Sequence, residues 1–253
     1  MTQVTLTALE GIPEVIRGAP LARLLLEALE RAGLELASGD VIAVAQKIVS
    51  KAEGRGVRLV DVDPGPRAHE LATRTSKDPR LVELILRESH EVLRATPGVL
   101  IVEHRLGFIM ANAGVDRSNA GPGGEESALL LPENPDGSAR ALRQTLLELT
   151  GREIAIVIND SFGRAWRNGV AGIAIGVAGM PALVDLRGRR DRDGRALEVT
   201  QVGLADELAA AASLVMGQAD ESVPAVLVRG LRYARGDGSV RALLRDRAED
   251  LFR

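Results

Sequence analysis

The sequence contains no cysteine and few histidines, and these shortages exclude several kinds of site. Without cysteine there can be no disulfide, no thiolate nucleophile and no thiolate metal ligand. With only three histidines, His69, His90 and His104, a zinc site built from imidazoles is disfavoured. Any metal that the protein binds is therefore expected to have oxygen ligands.

An excess of basic charge and a long apolar run are also missing. The formal net charge of -3 and the pI near 5.8 do not provide the basic surface that nucleic-acid binding requires. No apolar run approaches the roughly 20 residues of a membrane span, and residues 1–10 lack the basic start and apolar stretch of a signal peptide. We therefore expect a cytoplasmic protein that binds neither nucleic acid nor membrane.

The 253 residues, of which 45% are apolar and 26% charged, are sufficient for a sizeable core. Helical periodicity predicts helices over residues 20–32, 78–95, 136–151, 205–216 and 240–252. Runs typical of strands occupy residues 4–7, 40–45, 57–62, 99–102, 108–110, 154–158 and 225–228. We predict an α+β fold with mixed sheets and packed helices, as a single domain over residues 1–253. The glycine-rich run 172–179 lacks the spacing of a nucleotide-binding glycine loop, and the predicted fold is non-Rossmann.

Two acidic segments, residues 111–119 and 158–164, each follow a strand-like run. They place Asp116 and Asp160 among small or hydrogen-bonding residues. A hard divalent cation prefers carboxylate oxygens and keeps positions open for phosphate oxygens, so the two loops together indicate a metal-dependent enzyme that handles phosphate. Each segment taken alone is also explained as a turn, because Asp, Asn and Ser bond to their own backbone.

Lysine is scarce, and its positions are informative. Only three of the 32 basic residues are lysine, and Lys47 and Lys51 stand together after the strand-like run 40–45. Where arginine is so strongly favoured, a retained lysine indicates a need for a compact point charge, such as a phosphate contact. The alternative for Lys51 is a solvated surface lysine.

With these segments in place, the sequence resembles the coenzyme F420-0:L-glutamate ligase (gamma-glutamyl ligase) family. The resemblance rests on residues 11–13, 46–55, 112–119, 159–164, 188–200, 205–209 and 216–218, which occur in order over nearly the whole chain. Their joint occurrence is far more specific than any one of them.

The resemblance implies a ligase that uses GTP and a divalent metal to add L-glutamate to the carboxyl group on the lactyl phosphate arm of F420-0. GTP would first convert that carboxylate into an acyl phosphate, which the glutamate amine then attacks. The resemblance also implies two intimately associated lobes, a homodimer and two metal ions, Mg²⁺ or Mn²⁺. It leaves open whether K⁺ assists.

The same resemblance assigns roles to individual residues. Asp116 and Asp160 would hold one cation, Ser161 and Gln218 would help to hold the other, and Lys51 would neutralise a phosphate. Asp116, Asp160 and Lys51 are thus the expected catalytic set. The expected GTP-binding residues are Ile12, Pro13, Glu14, Val15, Gln46, Lys47, Lys51, Asn119, Met216, Gly217, Gln218, Ala219, Asp220, Glu221, Ser222 and Val223.

Some interpretations stay open at this stage. A metal-dependent phosphohydrolase would use similar oxygen ligands and a lysine, and a nucleotide-binding regulatory module would need no chemistry. Trp166 is expected to pack in the core, with stacking on the flat deazaflavin as the alternative. Arg164 and Arg167 could pair with surface acids or bind the substrate's phosphodiester or carboxylates. His104 is expected to be a histidine of the core or of a strand end.

Overall fold

In the computed structural model, which describes residues 3–117 and 126–250, strands and helices are interspersed along the chain. The strands are β1 (Thr5–Ala8), β2 (Val41–Ala45), β3 (Gly56–Arg58), β4 (Ser89–Thr96), β5 (Val99–His104), β6 (Ile109–Ala111), β7 (Ser127–Leu129), β8 (Ala155–Arg164), β9 (Arg167–Ala178), β10 (Val184–Asp185), β11 (Gln201–Val202) and β12 (Ala225–Arg229). The helices are α1 (Leu21–Arg31), α2 (Gln46–Glu53), α3 (Pro66–Thr75), α4 (Pro79–Arg87), α5 (Pro135–Thr150) and α6 (Leu204–Met216). The predicted class, α+β with mixed sheets, is confirmed.

Local sequence explains where several helices begin and end. Helix α4 follows Asp78, whose side chain accepts a hydrogen bond from the backbone N–H of Arg80, and its first residue is a proline. Helix α5 starts in the same way, with the Asn134 side chain accepting from the Gly137 N–H, and it stops at Gly151, whose φ is 68°. These caps agree with the predicted starts near residues 78 and 136.

A five-stranded sheet in the order β1-β12-β2-β8-β9 forms the larger core. Strands β2 and β8 are parallel, and every other neighbouring pair is antiparallel. Helices α5 and α6 both pack on β8 and β9. A Cβ atom at Gly172 would overlap α6, and one at Gly176 would overlap the start of α5, so glycine permits close contact with each helix.

The sheet brings four distant segments to one edge. Because β2 and β8 are parallel, with Ala45 opposite Asn159, the carboxyl end of β2 lies beside the middle of β8. Strand β12 is antiparallel to β2 and begins at this edge, where the Ala45 N–H donates to the Pro224 carbonyl at 2.8 Å. Strand β1 ends there too, since the Leu9 N–H donates to the Ala225 carbonyl at 2.9 Å. Ligands of open sheets commonly bind at the carboxyl ends of parallel strands, so this edge is the first place to search for a site.

A second hydrophobic core lies under α3, α4 and the β4-β5-β6 sheet. A polar cluster centred on Glu88 joins this part of the chain to α2. Glu88 Oε2 lies 3.0 Å from Nη2 of Arg55, 3.0 Å from Nε of Arg105 and 3.6 Å from Nε2 of His104. Arg55 also donates through Nε to the Leu131 carbonyl at 2.9 Å. The prediction of a single domain with two associated lobes stays a prediction.

Four local predictions are wrong. The helix expected over residues 78–95 ends at Arg87, because the chain then pairs as β4 with β5. Only Gly56–Arg58 of the strand expected at 57–62 is extended, and a 3-10 turn, Leu59–Asp61, follows. The helix expected at 240–252 consists of two 3-10 turns, Val240–Leu243 and Arg247–Glu249, in its described part. The second acidic segment is not a loop, since β8 continues through it to Arg164.

His104 agrees with its expectation, because it ends β5 and is fully buried. Its Nδ1 accepts the backbone N–H of Leu106 at 2.9 Å, which leaves the proton on Nε2, on the side of Glu88. None of the helices in residues 3–117 and 126–250 is both long and apolar enough to span a lipid bilayer.

Candidate active site

Asp116 and Asp160 line one cavity of about 210 Å³, although they belong to different parts of the fold. Asp160 lies on β8 at the carboxyl edge of β2, and Asp116 follows β6. Lys47, at the start of α2, places its Nζ 2.6 Å from Oδ2 of Asp116. Both aspartates and this lysine therefore meet at the edge to which the parallel strands point.

The electrostatics of Asp160 reflect this crowding. Burial raises the pKa of Asp160 and the negative charge of Asp116 raises it further, to about 7, although the Ser161 N–H and the charge of Lys47 act in the opposite direction. An ionised pair of carboxylates is thus short of positive charge at neutral pH. Two oxygen-rich groups in this state suit a hard divalent cation, which would neutralise both.

A larger cavity, of about 520 Å³, is also lined by Asp160. This volume lies within the range of known small-molecule pockets. Its walls include Ile12, Pro13, Glu14, Val15, Gln46, Lys47, Lys51, Met216, Gly217, Gln218, Ala219, Glu221, Ser222 and Val223, all expected to bind the nucleotide. The two cavities share Gln46, Lys47, Asp160 and Ser161. A ligand in one cavity would therefore lie beside a ligand in the other.

The basic and polar groups of the larger cavity are already held in place. Lys51 Nζ donates to Oε1 of Glu14 at 2.6 Å, and this carboxylate is 77% exposed. An exposed partner is easily exchanged for a ligand phosphate, because water replaces the lost contact of the carboxylate. Gln46 is buried, and its Oε1 accepts a hydrogen bond from Ser50 Oγ at 2.9 Å. Gln46 is therefore oriented by its own helix.

The loop after α6 forms one side of the larger cavity. It starts at Gly217, whose φ of 73° lies in the left-handed region that favours glycine. The Glu221 carboxylate accepts the Ala219 N–H at 2.7 Å and so closes the loop on itself. Gln218 and its neighbours face the cavity, whereas Asp220 is exposed and does not line it.

A short left-handed turn precedes Asp116. Asn112, Ala113 and Gly114 have φ values of 54°, 52° and 65°, and the first two are not glycines, so the turn is strained. The backbone of Asp116 then pairs with Leu129 in both directions, at 3.0 and 2.7 Å. The aspartate is thereby fixed at the cavity wall, although periodicity alone gave no signal of this turn.

Asn119, which was expected to bind the nucleotide, lies outside the described residues. Within residues 3–117 and 126–250, no group of three or more histidine, aspartate or glutamate side chains is arranged to hold a metal. A cation at Asp116 and Asp160 would therefore draw its other ligands from neutral oxygens and from the substrate.

Asn159 is a residue of this edge to which the sequence gave no role. Its side chain is buried, and its Nδ2 lies 3.2 Å from Ser213 Oγ and 3.3 Å from Met216 Sδ. It therefore ties β8 to the end of α6, directly before the Gly217 loop. The signal was available, because Asn159 begins one of the segments that carry the family resemblance.

Trp166 corrects another expectation, because it does not pack in the core. It lies in the turn between β8 and β9, its side chain is 88% exposed, and its φ is 62°. The neighbouring Arg164 donates through Nη2 to the Asn168 carbonyl at 2.7 Å, within the same hairpin. The ribbon around residues 189–195 is exposed, as expected of a solvated hairpin.

Comparisons with known proteins identify the family of this chain. A family model described as F420-0:Gamma-glutamyl ligase matches residues 11–230. The chain is 50% identical over 252 residues to the coenzyme F420:L-glutamate ligase of Methanothermobacter thermautotrophicus, with 99% of each chain covered. It is 48% identical over 252 residues to the protein of the same name from Methanopyrus kandleri, with 97% of each covered. The corresponding protein of Archaeoglobus fulgidus is 43% identical over 252 residues, covering 99% of this chain and 97% of its own.

Proposed function

Because the chain belongs to the F420-0:gamma-glutamyl ligase family, we propose that it joins L-glutamate to the carboxyl group of F420-0, with GTP as the co-substrate. The observation that carries the proposal is the meeting of two cavities at Asp160, one of about 520 Å³ and one of about 210 Å³. The larger would hold the nucleotide and the smaller the acceptor carboxylate. The γ-phosphate and the carboxylate then meet between them.

The chemistry follows from the weakness of a carboxylate as an acyl donor. An acceptor oxygen attacks the γ-phosphorus of GTP, the bond to the bridging oxygen breaks, and GDP leaves. The glutamate amine then attacks the carbonyl carbon of the acyl phosphate, and inorganic phosphate departs with the electron pair of the broken C–O bond. Both steps concentrate negative charge in one place, so the enzyme must supply positive charge there.

The chain supplies that charge directly from two lysines, and four residues with oxygen ligands would bind cations that supply the rest. Lys51 would exchange its contact with Glu14 for a phosphate of GTP, and Lys47 lies where the two cavities meet. Divalent cations, Mg²⁺ or Mn²⁺, held by Asp116, Asp160, Ser161 and Gln218 would neutralise the charge that develops on the transferred phosphoryl group. The closeness of Asp116 and Asp160 supports this fit, because without a cation the negative charge of one carboxylate disfavours ionisation of the other. The proposal also includes a homodimer, which light scattering after size-exclusion chromatography tests.

The experiment incubates the purified protein with F420-0, L-glutamate, Mg²⁺ and GTP, and follows the products by mass spectrometry. We expect one glutamyl residue or more on F420-0 and one GDP for each bond formed. Parallel reactions with ATP in place of GTP, with Mn²⁺ in place of Mg²⁺, and with and without K⁺ test which nucleotide and which cations the enzyme uses. GTP hydrolysis that is as fast without F420-0 as with it would instead favour a phosphohydrolase.

A further inference from the structure

The tip of the β8–β9 hairpin presents an aromatic side chain that this chain leaves uncovered. Arg164 pairs with Arg167 across the turn, and Trp166 between them is 88% exposed, with a φ of 62°. Exposure of a large apolar ring to water is unfavourable, and a left-handed backbone is unfavourable for a residue other than glycine. Both features are expected of a residue that acts on a ligand.

Strand β8 connects this tip with the candidate active site. The smaller cavity follows the strand from Asp160 to Gly163. Since side chains alternate along a strand, Asp160 and Phe162 belong to one face of it, and the strand register shifts between Gly163 and Arg164. Phe162 is buried edge-on against Phe108, with ring centroids 5.9 Å apart, and so anchors the base of the hairpin. Strand β8 therefore leads from the cavity that contains the aspartates to the hairpin tip, with Phe162 packed beneath it.

The dimensions and charges of this route match a long anionic molecule. At about 3.3 Å per residue, the strand from Asp160 to Arg164 covers roughly 13 Å, and the turn that carries Trp166 lies beyond it. Arg164 and Arg167 flank the indole on the two strands of the hairpin, and the Arg167 side chain makes no hydrogen bond or ion pair within the described residues. An arginine there can pair with a phosphodiester. The acceptor has its reactive carboxylate at one end, a phosphodiester in the middle and a planar deazaflavin at the other end.

We propose that the hairpin tip is the subsite for the planar ring of the acceptor, with Trp166 stacked on the ring and Arg164 and Arg167 facing the anionic arm. This inference rests on the proposed function, because it requires the acceptor carboxylate to lie beside Asp160. It assigns to the hairpin the choice of acceptor, and to the opposite cavity the choice of nucleotide. The other occupant that could cover Trp166 is a second copy of this chain.

Trp166 is the only tryptophan of the protein, so its fluorescence reports on the tip alone. We expect addition of F420-0 to quench the emission with saturation, and addition of GTP or glutamate to leave it unchanged. The Trp166→Phe variant, mixed with free N-acetyltryptophanamide and titrated in the same way, corrects for light that F420-0 absorbs. Corrected emission that stays constant up to saturating F420-0 would overturn the proposal. So would an emission spectrum that shifts on dilution of the protein alone, because the tip would then contact another copy.

Kinetics of two variants provide the second test. Trp166→Ala should raise the KM for F420-0 about tenfold, the effect of losing one aromatic stack, while the KM for GTP stays the same. Trp166→Phe should restore most of the difference, because phenylalanine retains a stacking face. The control for loss of an exposed apolar side chain is Val60→Ala, because Val60 is 69% exposed.

The outcomes separate the two proposals. If the wild-type protein makes no glutamylated product, the proposed function fails. If the wild type is active and Trp166→Ala has an unchanged KM for F420-0, the function stands and the hairpin subsite is wrong. Equal changes in the KM values for GTP and F420-0 would also count against the subsite, since they indicate a general disturbance of the site.

Discussion

Replacement of Glu88 by glutamine tests whether the polar cluster between the two cores stabilises the fold. The side chain of Glu88 is 11% exposed, and its Oε2 lies 3.0 Å from both Arg55 and Arg105. Burial alone would raise the pKa of Glu88, but its contacts with His104 and Arg105 and the charges of Arg55 and Arg105 outweigh burial and lower the pKa to about 2. The folded state therefore favours the ionised form.

The size and the pH range of the effect follow from this difference in pKa. The ordinary value is 4.5, so the shift to about 2 corresponds to about 3 kcal/mol at pH 7, at 1.36 kcal/mol per pKa unit. Because the folded pKa is the lower one, this stability is complete above pH 4.5 and disappears as the pH falls towards 2. At pH 3, about 1 kcal/mol should remain.

Urea unfolding of wild type and Glu88→Gln at pH 7 and pH 3 measures both values. We expect the difference in free energy of unfolding to be about 3 kcal/mol at pH 7 and to shrink by more than half at pH 3. The matched control is Glu91→Gln, which removes a carboxylate 2.7 Å from Arg247 in an exposed pair. That change should cost less than about 1 kcal/mol. A difference for Glu88→Gln that is no larger than the control, or that is equal at the two pH values, would refute the reasoning.

Three further outcomes follow from the site and the sheet. Asp116→Asn and Asp160→Asn should each reduce turnover about a hundredfold or more, because each removes a proposed metal ligand. Stability to urea should be kept, because the repulsion between the two carboxylates is relieved. Near-wild-type turnover at limiting Mg²⁺ would contradict the assignment. Lys51→Ala should raise the KM for GTP about tenfold with normal folding, and unchanged GTP kinetics would exclude its phosphate contact. Gly172→Ala should lower the free energy of unfolding by about 3 kcal/mol, because a Cβ atom there overlaps the backbone of α6. The control Gly163→Ala should be neutral, because no atom lies within 4 Å of the added Cβ. Equal stabilities of the two variants would be inconsistent with the packing.

The sequence predicted the elements whose signals are local. Helix α1 and helix α5 were found because apolar spacing, proline starts and glycine ends act within a few residues. The helix expected over residues 78–95 failed for the opposite reason. After Arg87 the chain keeps some helical periodicity, but pairing of Val92 with Val102 in the neighbouring strand determines the outcome. That pairing is a property of two segments, and a single window cannot show it.

The candidate site was predictable in its residues but not in its geometry. The family resemblance named the segments that line the larger cavity, and most of those residues do line it. Nothing in the sequence indicated that Asp160 lies within a strand, because the turn-forming residues around it suggested a loop. The exposure of Trp166 was also unforeseen, since a lone tryptophan in a chain with 2% aromatic residues is usually a core anchor.

The pairing of β1 with β12 has a consequence for synthesis of the protein. Within the described fold, Thr5–Ala8 hydrogen-bonds as a strand only to Ala225–Arg229, so this strand cannot pair until a segment more than 200 residues further along the chain has been made. Domains that depend on such distant partners cannot close while the chain is still emerging. The wall formed by Ile12 to Val15 is therefore completed only after translation has passed Arg229. Nascent chains shorter than this should lack the complete wall of the larger cavity.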